Sequence, residues 1–148
     1  MPCQAHLGEV STFKPEFDRR AVTVIAVSFA EPAKLAYYQE QHRWPFKLLA
    51  DPERNAYDTF NLKRLSWFRV FSPATLALYF KLWRRGMKQE PYGGEDIHQS
   101  GGDFLLDREG NILFAHRSQE PGDRPAPTRL LEEIDRVLSP RGAAPIVR

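Results

Sequence analysis

The sequence predicts one α/β domain with a mixed sheet, and three stretches carry that prediction. Residues 22–28, Val-Thr-Val-Ile-Ala-Val-Ser, form a continuous β-branched run, the pattern of a strand buried on both faces. Residues 103–116 hold two apolar runs around Arg-Glu-Gly-Asn, which reads as a β-hairpin. Residues 128–138 place Leu130, Leu131, Ile134, Val137 and Leu138 inward on one amphipathic helix. Alternating strands and helices, closed by a hairpin and a helix, build a sheet with helices packed against it.

The elements follow in order. Leu7, Val10, Phe13 and Phe17 keep helical spacing from Cys3 onward, and Pro15 kinks or splits that helix. After the strand at 22–28, Glu31-Pro32 starts a helix carrying Leu35, Tyr38 and His42, since proline is tolerated in a first turn. Pro45 ends it. Residues 46–50 read as a second short strand, and Asp51-Pro-Glu-Arg caps a helix running to about Phe60. Residues 62–88 mix many aromatics with arginines, and a helix is expected over 72–85. The glycine-rich stretch 89–102 reads as a loop. In the hairpin, Gly110-Asn111 suits a turn with positive φ. Residues 121–127 read as a loop. The domain is expected to span 1–138, with 139–148 a loose tail.

Composition narrows the function classes. A formal net charge of +2 over 148 residues gives no electrostatic argument for nucleic acid. No apolar run approaches the roughly 20 residues of a membrane span, and no signal peptide is recognisable. A single cysteine excludes an intrachain disulfide and suits a reducing compartment, so a cytoplasmic location is expected. The histidines His6, His42, His98 and His116 show no metal-ligand spacing, so no metal is expected.

The only cysteine, Cys3, opens the first helix, where the backbone dipole favours a thiolate. Against that stands the usual fate of a lone cysteine, a small buried hydrophobe. His6 follows at i+3, on the same helical face, where it can stabilise the thiolate or move a proton; the plainer account is a solvated surface histidine.

Cys3-Gln-Ala-His6, Asp51-Pro-Glu-Arg-Asn-Ala-Tyr57, the segment from Gly101-Gly-Asp-Phe through Ala115-His-Arg117, and Gly122-Asp123 together resemble the peroxiredoxin-like proteins of the AhpC/TSA family. The resemblance runs from Cys3 to Leu138. It implies a thioredoxin-like sandwich with a mixed sheet, and a thiol oxidoreductase that reduces hydrogen peroxide or an organic hydroperoxide.

Three departures stand out. Only Met1-Pro2 stands where such folds place the strand that precedes the active-site cysteine. A native upstream segment is therefore expected, unless the flanking strands close up or a partner chain donates a strand. His6 replaces the second cysteine of the related Cys-x-x-Cys. Gly101-Gly102 occupies the place of a cis-proline, where glycine lets backbone approach the sulfur.

With no second thiol, the sulfenic acid formed on Cys3 needs an external one. Glutathione, another small thiol or a thioredoxin-like partner is expected, with no bound cofactor. The resemblance also implies an arginine beside the leaving oxygen. Arg117, at the end of the hairpin, is the candidate, with Arg64 and Arg69 as alternatives, while His116 and Asp123 read as a hairpin-end hydrogen-bond pair. The competing function is a non-enzymatic redox-sensing or interaction module. Residues 62–88 raise two further readings, lipid-peroxide reduction at a membrane and an apolar pocket wall, and core packing or a pocket wall is favoured over membrane association. A homodimer is compatible with all of these.

Overall fold

The computed structural model describes residues 2–64, 73–84, 86, 98–120 and 122–139. Two helices open the chain, α1 (Pro2–Thr12) and α2 (Lys14–Arg19). The break between them falls at Phe13, and Pro15 sits in the first turn of α2, where its absent N–H leaves no bond unmade. Val10 and Phe17 are buried on the expected face, with Leu7 and Phe13 packed beside them.

Strand β1 (Ile25–Ser28) is shorter than the β-branched run. Ala21 lies in the left-handed region at φ 55°, and the Val22 amide donates to the Phe17 carbonyl at 3.0 Å. The chain is therefore still turning off α2, and Val22 and Val24 reach the core before the strand begins. β1 pairs in parallel with β2 (Lys47–Ala50). Expected burial on both faces gives way to alternation. Ala26 and Leu48 face the core, whereas Ile25 and Val27 are 51% and 41% exposed, as period-two pleating requires when one face is uncovered.

Between these strands, α3 (Pro32–His42) buries Leu35 and Tyr38 as expected. It stops at Arg43, a left-handed residue whose amide donates to Gln39, two residues ahead of Pro45. After β2, Asp51 accepts from the amides of Asn55 and Ala56 at 3.0 and 2.9 Å, opening α4 (Asn55–Thr59). Helix α5 (Pro73–Arg84) occupies most of the span expected for it. The remainder of the aromatic and glycine-rich stretch, including Arg69, lies outside the described residues.

The hairpin is β3 (Gly102–Leu106) and β4 (Ile112–Arg117), antiparallel, with a register irregularity at Leu105/Leu106. Gly110 alone takes positive φ, at 87°, while Asn111 donates to the Asp107 carboxylate through both its backbone and its side chain. Helix α6 (Pro127–Leu138) buries Leu131 and Ile134, but Leu138 is 60% exposed, against expectation, because it lies in the last turn beyond the core.

Among the described residues the strands form two separate two-stranded ladders, β1–β2 parallel and β3–β4 antiparallel, with no pairing between them. Both ladders serve one core. Val10, Phe17, Phe46, Leu131 and Ile134 form its centre, and Ala26, Leu48 and Leu105 pack against it.

Candidate active site

The Cys3 thiol is exposed in the first turn of α1. It faces Arg124, whose Nη2 donates to Sγ at 3.7 Å. The same guanidinium donates through Nη1 to Asp103 Oδ2 at 3.1 Å. The other oxygen of Asp103 faces His6 Nε2 at 3.0 Å. Four side chains from α1, β3 and the loop before α6 thus form one continuous chain of contacts.

The electrostatics agree with this geometry. Burial alone would raise the Asp103 carboxyl, but the His6 hydrogen bond and the Arg124 charge hold it below its usual range. As an ionised carboxylate only accepts hydrogen bonds, Nε2 of His6 carries the proton between them. Burial works against the Arg124 charge; the charges of a Cys3 thiolate and of Asp103 more than offset this, and its pKa lies above the ordinary value. Tyr57 on α4 feels the same site. Burial first, then the negative charge at Cys3, pushes its hydroxyl up to about 12, and that hydroxyl donates to the Val27 carbonyl at 3.2 Å.

Local sequence explains how Arg124 arrives there. The loop after β4 is fastened at several points: Ser118 N to Gly101 O at 2.9 Å, Ser100 Oγ to Ser118 O at 2.6 Å, and Gln119 N to Asp123 Oδ2 at 2.7 Å. His116 Nε2 lies 3.1 Å from Asp123 Oδ1, the hairpin-end pair expected from sequence. Gly101 makes the slot. A Cβ on it would overlap the Arg124 guanidinium and stand 2.8 Å from its Cζ. Gly102 meets backbone instead, since a Cβ there would sit 2.6 Å from the His116 carbonyl oxygen. The glycine pair therefore admits an arginine and a neighbouring strand.

The structure brings Cys3, His6 and Gly101 to one place. Arg117 goes elsewhere: it donates to the Phe60 carbonyl at 2.7 Å and lies over the Phe104 ring at 5.3 Å. It closes β4, and its side chain is drawn to that aromatic face. Arg64 bridges to Gln99 through the backbone. The sequence gives no site role to Asp103, Arg124 or Tyr57, although the first and last lie in the segments that carry the family resemblance. Asp103 carried a signal, an acidic residue heading an otherwise apolar strand, and Arg124 directly follows the Gly122-Asp123 that resembled the family.

The family model described as AhpC/TSA antioxidant enzyme matches residues 9–120. The match includes Gly101 and Asp103 but neither Cys3 and His6 before it nor Arg124 after it. No curated protein matches the sequence. With most of its length matched by that model, the chain belongs to the AhpC/TSA family.

Proposed function

We propose that the protein is a one-cysteine thiol peroxidase acting on hydrogen peroxide or an organic hydroperoxide. The observation that carries this reading is the contact between the exposed Cys3 sulfur and the Arg124 guanidinium, whose side chain is only 16% exposed. A fixed cation beside a thiol favours the thiolate, the form that attacks peroxide. The Cys3 sulfur attacks one peroxide oxygen, the S–O bond forms and the O–O bond breaks. The departing oxygen leaves as hydroxide or alkoxide and takes a proton to become water or an alcohol. Arg124 also faces the negative charge that develops in this step.

Cys3 is then a sulfenic acid. A small thiol of the glutathione class condenses with it to a mixed disulfide, releasing water. A second thiol displaces Cys3 and leaves as the oxidised dimer. His6 touches Asp103 rather than delivering a proton to the sulfur, so it supports the site through that carboxylate. Gly101 contributes the room Arg124 needs.

The accompanying fold reading is a thioredoxin-like sandwich with a ladder position open between β1 and β3. It is supported by the two strands pairing on one side each among the described residues while sharing one core. No helix among the described residues is long and apolar enough to cross a membrane. A working thiol and a glutathione-class reductant both suit the cytoplasm.

Cys3→Ser is expected to abolish peroxide consumption with glutathione, and Arg124→Gln to lower its rate by about 10²-fold, the usual loss for one donor to developing charge. The exposure of Cys3 and the absence of a second cysteine favour one rival, a redox-sensing module without turnover. If Cys3 is oxidised stoichiometrically by peroxide but consumes no more with glutathione present, the sensor reading replaces the enzyme.

A further inference from the structure

We infer that Asp103 is the positioning residue of this site, aiming Arg124 at Cys3 with one carboxylate oxygen while tying the cysteine-bearing helix to β3 through His6 with the other. The inference rests on Cys3 being the working thiol.

Arg124 has a long side chain with many rotamers, and holding one of them costs conformational entropy. Its contact is with sulfur, a weak hydrogen-bond acceptor, and cannot pin it alone. Asp103 Oδ2 supplies the second anchor at 3.1 Å, on the other nitrogen of the planar fork. With Nη1 held by Asp103, the direction of Nη2 follows from the rigid guanidinium. Gly101 leaves the space through which the fork reaches both partners.

The second oxygen works on the other half of the site. His6 sits one turn after Cys3 on α1, and its ring meets Oδ1 at 3.0 Å across 97 positions of sequence. Cys3 and Arg124 are thereby referred to the same carboxylate, although they come from opposite ends of the chain. A largely buried ion pair is weak grounds for assuming stability, because desolvation offsets much of its attraction. Asp103 also places a negative charge near a thiol whose reactive form is negative. Its presence is therefore unfavourable for the thiolate by charge alone and favourable only through what it holds.

That opposition supplies the test. The rate of Cys3 alkylation by iodoacetamide at neutral pH reads the thiol without requiring peroxide turnover. Asp103→Ala is expected to slow alkylation by about tenfold and to move its rate–pH profile toward higher pH, as loss of an aligned cation does. Asp103→Asn is expected to fall between Asp103→Ala and the native protein, because its amide oxygen still accepts from Arg124. In an Arg124→Gln background, Asp103→Ala should add no further slowing.

Faster alkylation in both Asp103 variants would mean that the carboxylate acts only as a repelling charge, and would overturn the inference. Additive slowing in the Arg124→Gln background would also overturn it. Should Asp103→Ala fail to fold in a thermal melt, Arg124→Lys carries the test with Asp103 intact. A lysine keeps the charge but lacks the fork, and alkylation as slow as in Arg124→Gln supports the inference, whereas native-like alkylation overturns it. A native protein that shows these alkylation differences yet consumes no peroxide sinks the peroxidase reading and leaves the positioning role standing.

Discussion

Adjacent glycines do two separate jobs in this protein. At Gly101 an added methyl meets the end of a flexible arginine side chain; at Gly102 it meets the carbonyl of the neighbouring strand. Gly101→Ala is therefore expected to cost little stability but to swing Arg124 off the sulfur, slowing Cys3 alkylation several-fold at constant pH. Gly102→Ala cannot be relieved by a side-chain rotation, so a loss of about 1–3 kcal/mol is expected in urea unfolding, the usual range for overpacking. Equal stability losses in the two variants would contradict this division of roles. The sequence pointed to this pair without revealing which atoms need the space. Arg124 shows the same limit more sharply. Its contact with Cys3 spans 121 positions, and no local spacing or periodicity encodes such a meeting.

Elements with strong local signals were legible. The break at Phe13 to Pro15, the proline-started α3, the Asp51 cap and the hairpin all follow from short-range sterics and hydrogen bonding. Faces were harder to read than elements, because burial depends on what lies opposite. In α6, Ile134 and Leu138 lie on the same predicted stripe, yet Ile134 joins the core and Leu138 is exposed. Ile134→Ala is accordingly expected to destabilise by about 2–4 kcal/mol, and Leu138→Ala by no more than about 0.5 kcal/mol, both read from denaturant midpoints. In β1, the β-branched run suggested burial on both faces, whereas its register with β2 places Val27 beside Leu49 on the outward face. The run records strand propensity, and it is silent on how many neighbours the strand has.

For the molecule as a whole, acid sensitivity follows from the one substantially buried carboxylate of the site. Asp103 is held below its ordinary 3.8 in the folded protein, where burial is outweighed by His6 and Arg124. The unfolded chain therefore binds the proton first as pH falls, and this group's contribution is full above pH 3.8 and lost beneath it. Glu133 and Asp135 are also lowered by arginine partners, but the guanidiniums of Arg129 and Arg136 and the Asp135 carboxylate are more than half exposed, so these pairs are largely screened. Thermal melts should show stability declining below about pH 4, and Asp103→Asn should flatten that decline while lowering stability at neutral pH. A decline unchanged by the substitution would assign acid sensitivity to other carboxylates. The hydrogen bond between His6 and Asp103 has one more consequence. Because the thiol's helix is latched to the hairpin by that bond, Cys3 reactivity reports whether the first helix is docked. Labelling of this cysteine under increasing denaturant therefore serves as a clock for the undocking of α1, and a fall in labelling rate before global unfolding would time that event separately from collapse of the core.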